Sequence, residues 1–83
     1  MDKSPINAKT AKKLRESMNL TQAELGKLLD VSVHTIRAWE SGKRLCSGPA
    51  GRLMALIRHD PDSILPALCR VAPGFTWADL NTR

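Results

Sequence analysis

The side chains in this sequence that could support metal or redox chemistry are two cysteines, Cys46 and Cys69, and two histidines, His34 and His59. The cysteines stand 23 positions apart, so neither belongs to a CxxC pair, and the histidines do not complete a metal-ligand spacing. A disulfide framework in so short a chain would normally use more cysteines. We therefore expect no metal ion, no cofactor and two reduced thiols.

The carboxylates do not form a recognisable catalytic arrangement either. Glu40, which follows Trp39, invites an acid–base role, but no paired carboxylate and no Ser/His/Asp set can be assembled around it. A chain of 83 residues has room for one domain with a modest core, and hardly for a substrate cleft on a large scaffold. The sequence therefore predicts a single domain that is not an enzyme.

Basic side chains give the chain a formal net charge of +5, from 13 Lys and Arg against 8 Asp and Glu. Nine of the basic and five of the acidic residues lie in residues 1–44, so that part carries +4 and the remainder +1. This balance fits a polyanionic partner, although charge alone also fits a merely soluble basic surface.

The chain shows no targeting or membrane signal. No apolar stretch approaches 18 residues, and the polar start Met1–Pro5 is not followed by the apolar segment of a signal peptide. We expect a cytoplasmic protein with no membrane contact.

Apolar residues recur at three- and four-residue spacing, which predicts an all-α protein without strands. We expect a flexible arm at 1–6, a helical domain at 7–72 and a tail at 73–83. Pro66, inside the last helix, is a residue that kinks or shortens helices. The predicted helices span residues 7–18, 22–29, 33–41, 49–58 and 61–70.

The most informative segment is Thr21–Arg44, which reads as two short helices joined by a tight turn. Thr21 with Glu24 three residues later forms a capping box, and Ser32 is the next N-cap. Gly26 is expected where the two helices approach most closely, because a side chain larger than alanine would hold them apart. Asp30 occupies the turn, where φ is often positive. The residues expected to face inward are Leu25, Leu29, Val31, Ile36 and Trp39.

This segment closely resembles the helix-turn-helix of the Xre family, the class of the phage lambda repressor and Cro. The resemblance covers residues 7–58 in outline and 21–44 in detail, with Asp30 in place of the usual glycine. It implies a five-helix, lambda-repressor-like bundle that binds double-stranded DNA. The loop Gly42–Ala50 is also similar to that of small Xre-type antitoxins paired with RelE-like toxins, with Cys46 in place of their usual proline. Repressors without a toxin share this loop.

The resemblance makes the third helix the recognition helix and implies that Val33, His34, Arg37 and Ala38 meet base edges. Arg37 could bond guanine O6 and N7, and Val33 or Ala38 could contact a thymine methyl group. The imidazole of His34 can donate or accept a hydrogen bond, so it does not predict which base this residue would contact. A phosphate contact is the alternative for Arg37.

Other residues are expected to contact the DNA backbone or to hold the fold together. Family resemblance places Gln22 against a phosphate, where its amide and the N-terminus of the second helix both donate. It also implies a structural ion pair between Arg15 and Glu40. The remaining residues expected to contact phosphates are Ser32, Thr35, Lys43 and Arg44.

The function predicted from these residues is a sequence-specific transcriptional regulator, a repressor that binds a two-fold operator as a homodimer. The first alternative is an antitoxin that autoregulates its operon and neutralises a RelE-like toxin. The second is a protein-interaction module that no longer touches DNA, against which the basic residues beside the third helix argue. For the apolar residues of the tail, Phe75, Trp77 and Leu80, three roles stay open: folding back on the core, pairing with a second protomer, or docking on a partner protein.

Overall fold

A computed structural model describes residues 6–72 and 74–75. This part of the chain contains five helices and no strand, which confirms the predicted all-α class. The predicted boundaries differ from the observed ones by one residue at most. No helix in the described part is long and apolar enough to cross a membrane. The helices are α1 (Ala8–Ser17), α2 (Gln22–Leu29), α3 (Val33–Ser41), α4 (Gly48–His59) and α5 (Pro61–Val71).

Side chains that accept hydrogen bonds from backbone amides mark the starts of four helices. Asn7 accepts from Thr10 at the start of α1, and Asp60 accepts from Ser63 at the start of α5. Thr21 and Ser32 do the same for α2 and α3. These caps satisfy amide groups that have no partner inside the helix, which explains why the sequence located the helix starts well.

The core is aliphatic, with Leu25, Ile36, Met54 and Ile57 completely buried. Helix α3 lies at its centre, packed on α1 and α2, and α4 packs on α5. Trp39 is buried in this core, as predicted, rather than available for stacking on a base. Helices α2 and α3 therefore pack on the core through their buried side chains.

Ile6 corrects the predicted boundary of the N-terminal arm. Its side chain was assigned to the flexible arm 1–6, yet only 1% of it is exposed and it belongs to the core cluster. Ile6 stands before the N-cap Asn7 and outside the helical repeat of apolar residues, so the spacing of apolar residues could not assign it to the core.

Helix α5 continues through Pro66 to Val71, so the proline does not shorten it. Pro66 has no amide hydrogen to donate to the carbonyl of Asp62 in the first turn, and its ring crowds that carbonyl, yet the helix continues. Beyond α5, Phe75 is half-buried against the core, whereas Trp77 and Leu80 lie outside the described residues.

Neither cysteine is in a disulfide, and both are buried. Burial raises the pKa of Cys46 to about 11 and also raises the pKa of Cys69. Both thiols are therefore protonated near neutral pH, and they act as small apolar side chains in the core.

Candidate nucleic-acid interface

The turn between α2 and α3 has the geometry predicted from its residues. Thr21 and Glu24 form the reciprocal capping box: Thr21 Oγ1 accepts from the Glu24 amide at 3.1 Å, and Glu24 Oε1 accepts from the Thr21 amide at 2.9 Å. Asp30 ends α2 in the left-handed conformation, with φ 60° and ψ 47°. Aspartate tolerates this conformation better than most residues, so it can occupy a turn position that favours glycine.

Gly26 lies where α2 meets the segment that leads into α3. A Cβ atom at this position would be 2.7 Å from the Val31 carbonyl oxygen, a backbone atom that cannot move independently. The sequence argument excluded only side chains larger than alanine. The structure is stricter, because even the methyl group of alanine would collide with the backbone.

The outward face of α3 carries the four residues predicted to meet base edges. His34 and Arg37 are exposed, and Val33 and Ala38 are half-buried. At 100° per residue these four positions share one face, roughly opposite the buried Ile36 and Trp39. The helix therefore presents one cation, one imidazole and two apolar groups on a single surface.

Polar and basic groups flank this face at both ends. At the N-terminal end Ser32 Oγ caps the Thr35 amide at 3.2 Å, and the two hydroxyl oxygens lie 3.3 Å apart. At the C-terminal end Gly42 closes α3 with φ 82°, and the Arg44 amide donates to the Ala38 carbonyl at 3.1 Å. The backbone of Arg44 is thus tied to the end of the helix, and the side chains of Lys43 and Arg44 are exposed beside it.

Arg15 and Glu40 form a two-pronged ion pair between α1 and α3. Arg15 Nε donates to Glu40 Oε2 at 2.7 Å, and Arg15 Nη2 donates to Glu40 Oε1 at 3.0 Å. The side chains are only 13% and 6% exposed. A carboxylate committed in this way serves the packing of the two helices, as the sequence argument expected, and is not poised for proton transfer.

Electrostatics in this pair favour the charged forms of both residues. Burial alone would raise the pKa of Glu40, but the hydrogen bonds from Arg15 and Gln22 outweigh it and hold the pKa below its usual value. The hydrogen bond to Glu40 likewise raises the pKa of Arg15.

Gln22 has a connection that the sequence argument missed. Its Nε2 donates to Glu40 Oε1 at 3.0 Å, and its Oε1 accepts from Arg37 Nε at 3.4 Å. The sequence argument placed Gln22 against a phosphate and Arg37 against a base, with no link between them. The residues lie 15 positions apart on different helices, so no local pattern could reveal the contact.

Comparison with known proteins agrees with this geometry. Residues 12–48 match the helix-turn-helix family. Antitoxin HigA-2 of Vibrio cholerae is 29% identical over 51 residues, which cover 61% of this chain and 49% of the relative. The chain thus aligns with about half the length of that protein. No solved structure matches this chain. The segment from within α1 to the start of α4 is therefore similar to helix-turn-helix domains.

Proposed function

We propose that this protein is a sequence-specific DNA-binding transcriptional regulator, which inserts α3 into the major groove of its operator. The observation that carries the proposal is the outward face of α3, where Val33, His34, Arg37 and Ala38 lie together on a helix held by a buried core. The match of this segment to the helix-turn-helix family supports the same role.

The chemistry of this face suits base edges. The guanidinium of Arg37 can donate two hydrogen bonds to O6 and N7 of one guanine, and a good pair of this kind contributes about 1–3 kcal/mol of discrimination. The apolar surfaces of Val33 and Ala38 fit a thymine methyl group. His34, exposed in the first turn of α3, can donate to or accept from a base.

The groups at the two ends of α3 suit the DNA backbone. In this proposal Ser32, Thr35 and the N-terminus of α2 with Gln22 bind phosphates on one side of the groove. Lys43 and Arg44 bind phosphates on the other side. These contacts position α3 and make the affinity depend on salt, but they carry little sequence information.

One α3 reads only a few base pairs, so we propose that the protein acts as a homodimer on a two-fold operator and represses the genes that follow it. Half-sites would then lie about 34–36 Å apart, one turn of DNA, so that both recognition helices enter the major groove on the same side.

Selection of bound duplexes from a random library tests this function directly. The account predicts enrichment of a two-fold symmetric sequence, and loss of base preference at one position of each half-site when Arg37 is replaced by alanine. Arg70→Ala is a matched control, because Arg70 is an exposed arginine on α5. Recovery of no common sequence would contradict sequence-specific binding and leave the interaction-module alternative.

A second candidate function is that of an antitoxin that represses its own operon and neutralises a RelE-like toxin. The observation that favours it is the similarity to a protein named as an antitoxin. Co-expression with the neighbouring reading frame tests it: rescue of growth and co-purification of the two proteins are expected of an antitoxin. A neighbouring product that is harmless when expressed alone would exclude this candidate.

A further inference from the structure

The side-chain amide of Gln22 lies between a part-buried anion and an exposed cation. Its nitrogen donates to Glu40, whose side chain is 6% exposed, and its oxygen accepts from Arg37 on the surface of α3. The amide therefore bridges the packed interior of the domain and the face proposed to read DNA.

The chemistry of the two neighbours fixes which way this amide points. An ionised carboxylate only accepts hydrogen bonds and a guanidinium only donates them. The NH₂ end of Gln22 must therefore face Glu40, and its carbonyl end must face Arg37. The opposite orientation would set oxygen against oxygen on one side and two donors against each other on the other.

Glu40, the innermost of these contacts, is held by several hydrogen bonds. Glu40 accepts two hydrogen bonds from Arg15, and Arg15 Nη1 donates to the Leu20 carbonyl at 2.9 Å. Because Leu20 is buried just before α2, the anchor includes backbone as well as side chains. The outermost member, Arg37, is exposed on the surface of α3.

We propose that Gln22 is a positioning residue for Arg37, one that helps to set base preference at the position that Arg37 reads. This inference rests on the proposed function. The bond from Arg37 Nε restricts the orientation of the guanidinium plane and leaves Nη1 and Nη2 available for guanine O6 and N7. The second amide hydrogen of Gln22 can still reach a phosphate, so this role differs from a backbone contact and adds to it.

A double-mutant cycle with Gln22→Met and Arg37→Ala tests the role, since methionine keeps the length of glutamine and removes both polar ends. The measured quantity is the preference for the favoured base pair over the other three at the position that depends on Arg37. We expect Gln22→Met to reduce this preference about three- to tenfold, the scale of one ordinary intramolecular hydrogen bond. In the Arg37→Ala background the same change should have no effect on preference.

Ala23→Met is the control, because it places methionine one residue further along the exposed start of α2. We expect this control to keep the full preference. Equal weakening of all sequences by Gln22→Met, with a smaller salt dependence, would show a phosphate contact alone and overturn the positioning role. Additive effects of the two changes on preference would overturn it as well.

A second measurement needs no DNA. Hydrogen exchange of the Arg37 Nε–H with solvent, followed by NMR, should become faster in Gln22→Met, while that of the Arg15 Nε–H stays slow. Unchanged exchange at Arg37 would overturn the proposal. If the base-pair preference depends on Arg37 but is unchanged in Gln22→Met, the positioning role fails and the proposed function stands. If the wild-type protein prefers no sequence, the proposed function fails together with the positioning role.

Discussion

Glu40 holds Arg15 through both of its carboxylate oxygens, at 2.7 and 3.0 Å, and so ties the first helix to the end of the third. The pair is largely withdrawn from water and makes no contact that suggests catalysis. Its effect is to fix the orientation of α3, the helix that carries the proposed base-reading residues.

Glu40→Ala should destabilise the protein much more than Glu24→Ala. Loss of Glu40 leaves the part-buried Arg15 without its anion, which costs about 3 kcal/mol, at the low end of the range for buried pairs because Arg15 keeps some exposure. Loss of Glu24 removes one contact of a helix cap, which costs about 1 kcal/mol. Urea denaturation of both variants measures the difference. Equal, small effects would show that the ion pair does not stabilise the fold.

The stabilisation from Glu40 should depend on pH. Its pKa in the folded protein is held below the ordinary value of 4.5, so the folded state favours the carboxylate more than the unfolded state does. This contribution is fully present above the unfolded pKa and is lost as the pH falls through the folded pKa. The stability difference between wild type and Glu40→Gln should therefore be constant near neutral pH and shrink in acid below 4.5. A difference that does not change on acidification would contradict the assigned pKa direction.

Gly26→Ala should destabilise the protein, because the new methyl group meets the Val31 carbonyl oxygen at 2.7 Å. Overpacking of this kind costs about 1–3 kcal/mol and would push α2 and α3 apart. Gly42→Ala is a useful comparison, since nothing lies within 4 Å of a Cβ atom there and only the positive φ is unfavourable. Thermal unfolding measures the loss of stability in both variants, and DNA-binding titrations distinguish them. Gly26→Ala should also weaken DNA binding, whereas Gly42→Ala should affect stability alone. Full DNA binding by Gly26→Ala would show that the close approach does not matter to the interface.

Lys43→Ala and Arg44→Ala should each weaken binding to every duplex by a similar factor. Each variant should also reduce the slope of log affinity against log salt by about one. Arg70→Ala, which removes an exposed charge from α5, should leave the slope unchanged. Binding titrations at several salt concentrations give the slopes. A slope that stays at the wild-type value in Lys43→Ala or Arg44→Ala would show that the side chain does not reach DNA.

Local signals in the sequence were sufficient for much of the fold. Thr21, Glu24 and Ser32 predicted two helix starts because capping acts within three residues, and Asp30 predicted the turn because few residues accept a positive φ. Ile6 escaped prediction because its burial depends on tertiary packing alone. The contacts of Gln22 with Glu40 and Arg37 escaped for the same reason, since they join residues from two helices.

The proposal that α3 reads base edges is tested most directly by the binding of wild type and Arg37→Ala to operator duplexes that carry each of the four base pairs at one position in turn. The account predicts that Arg37→Ala loses discrimination at one position only, by about 1–3 kcal/mol, and keeps it at the others. Uniform weakening on all duplexes would contradict the account and make Arg37 a phosphate contact.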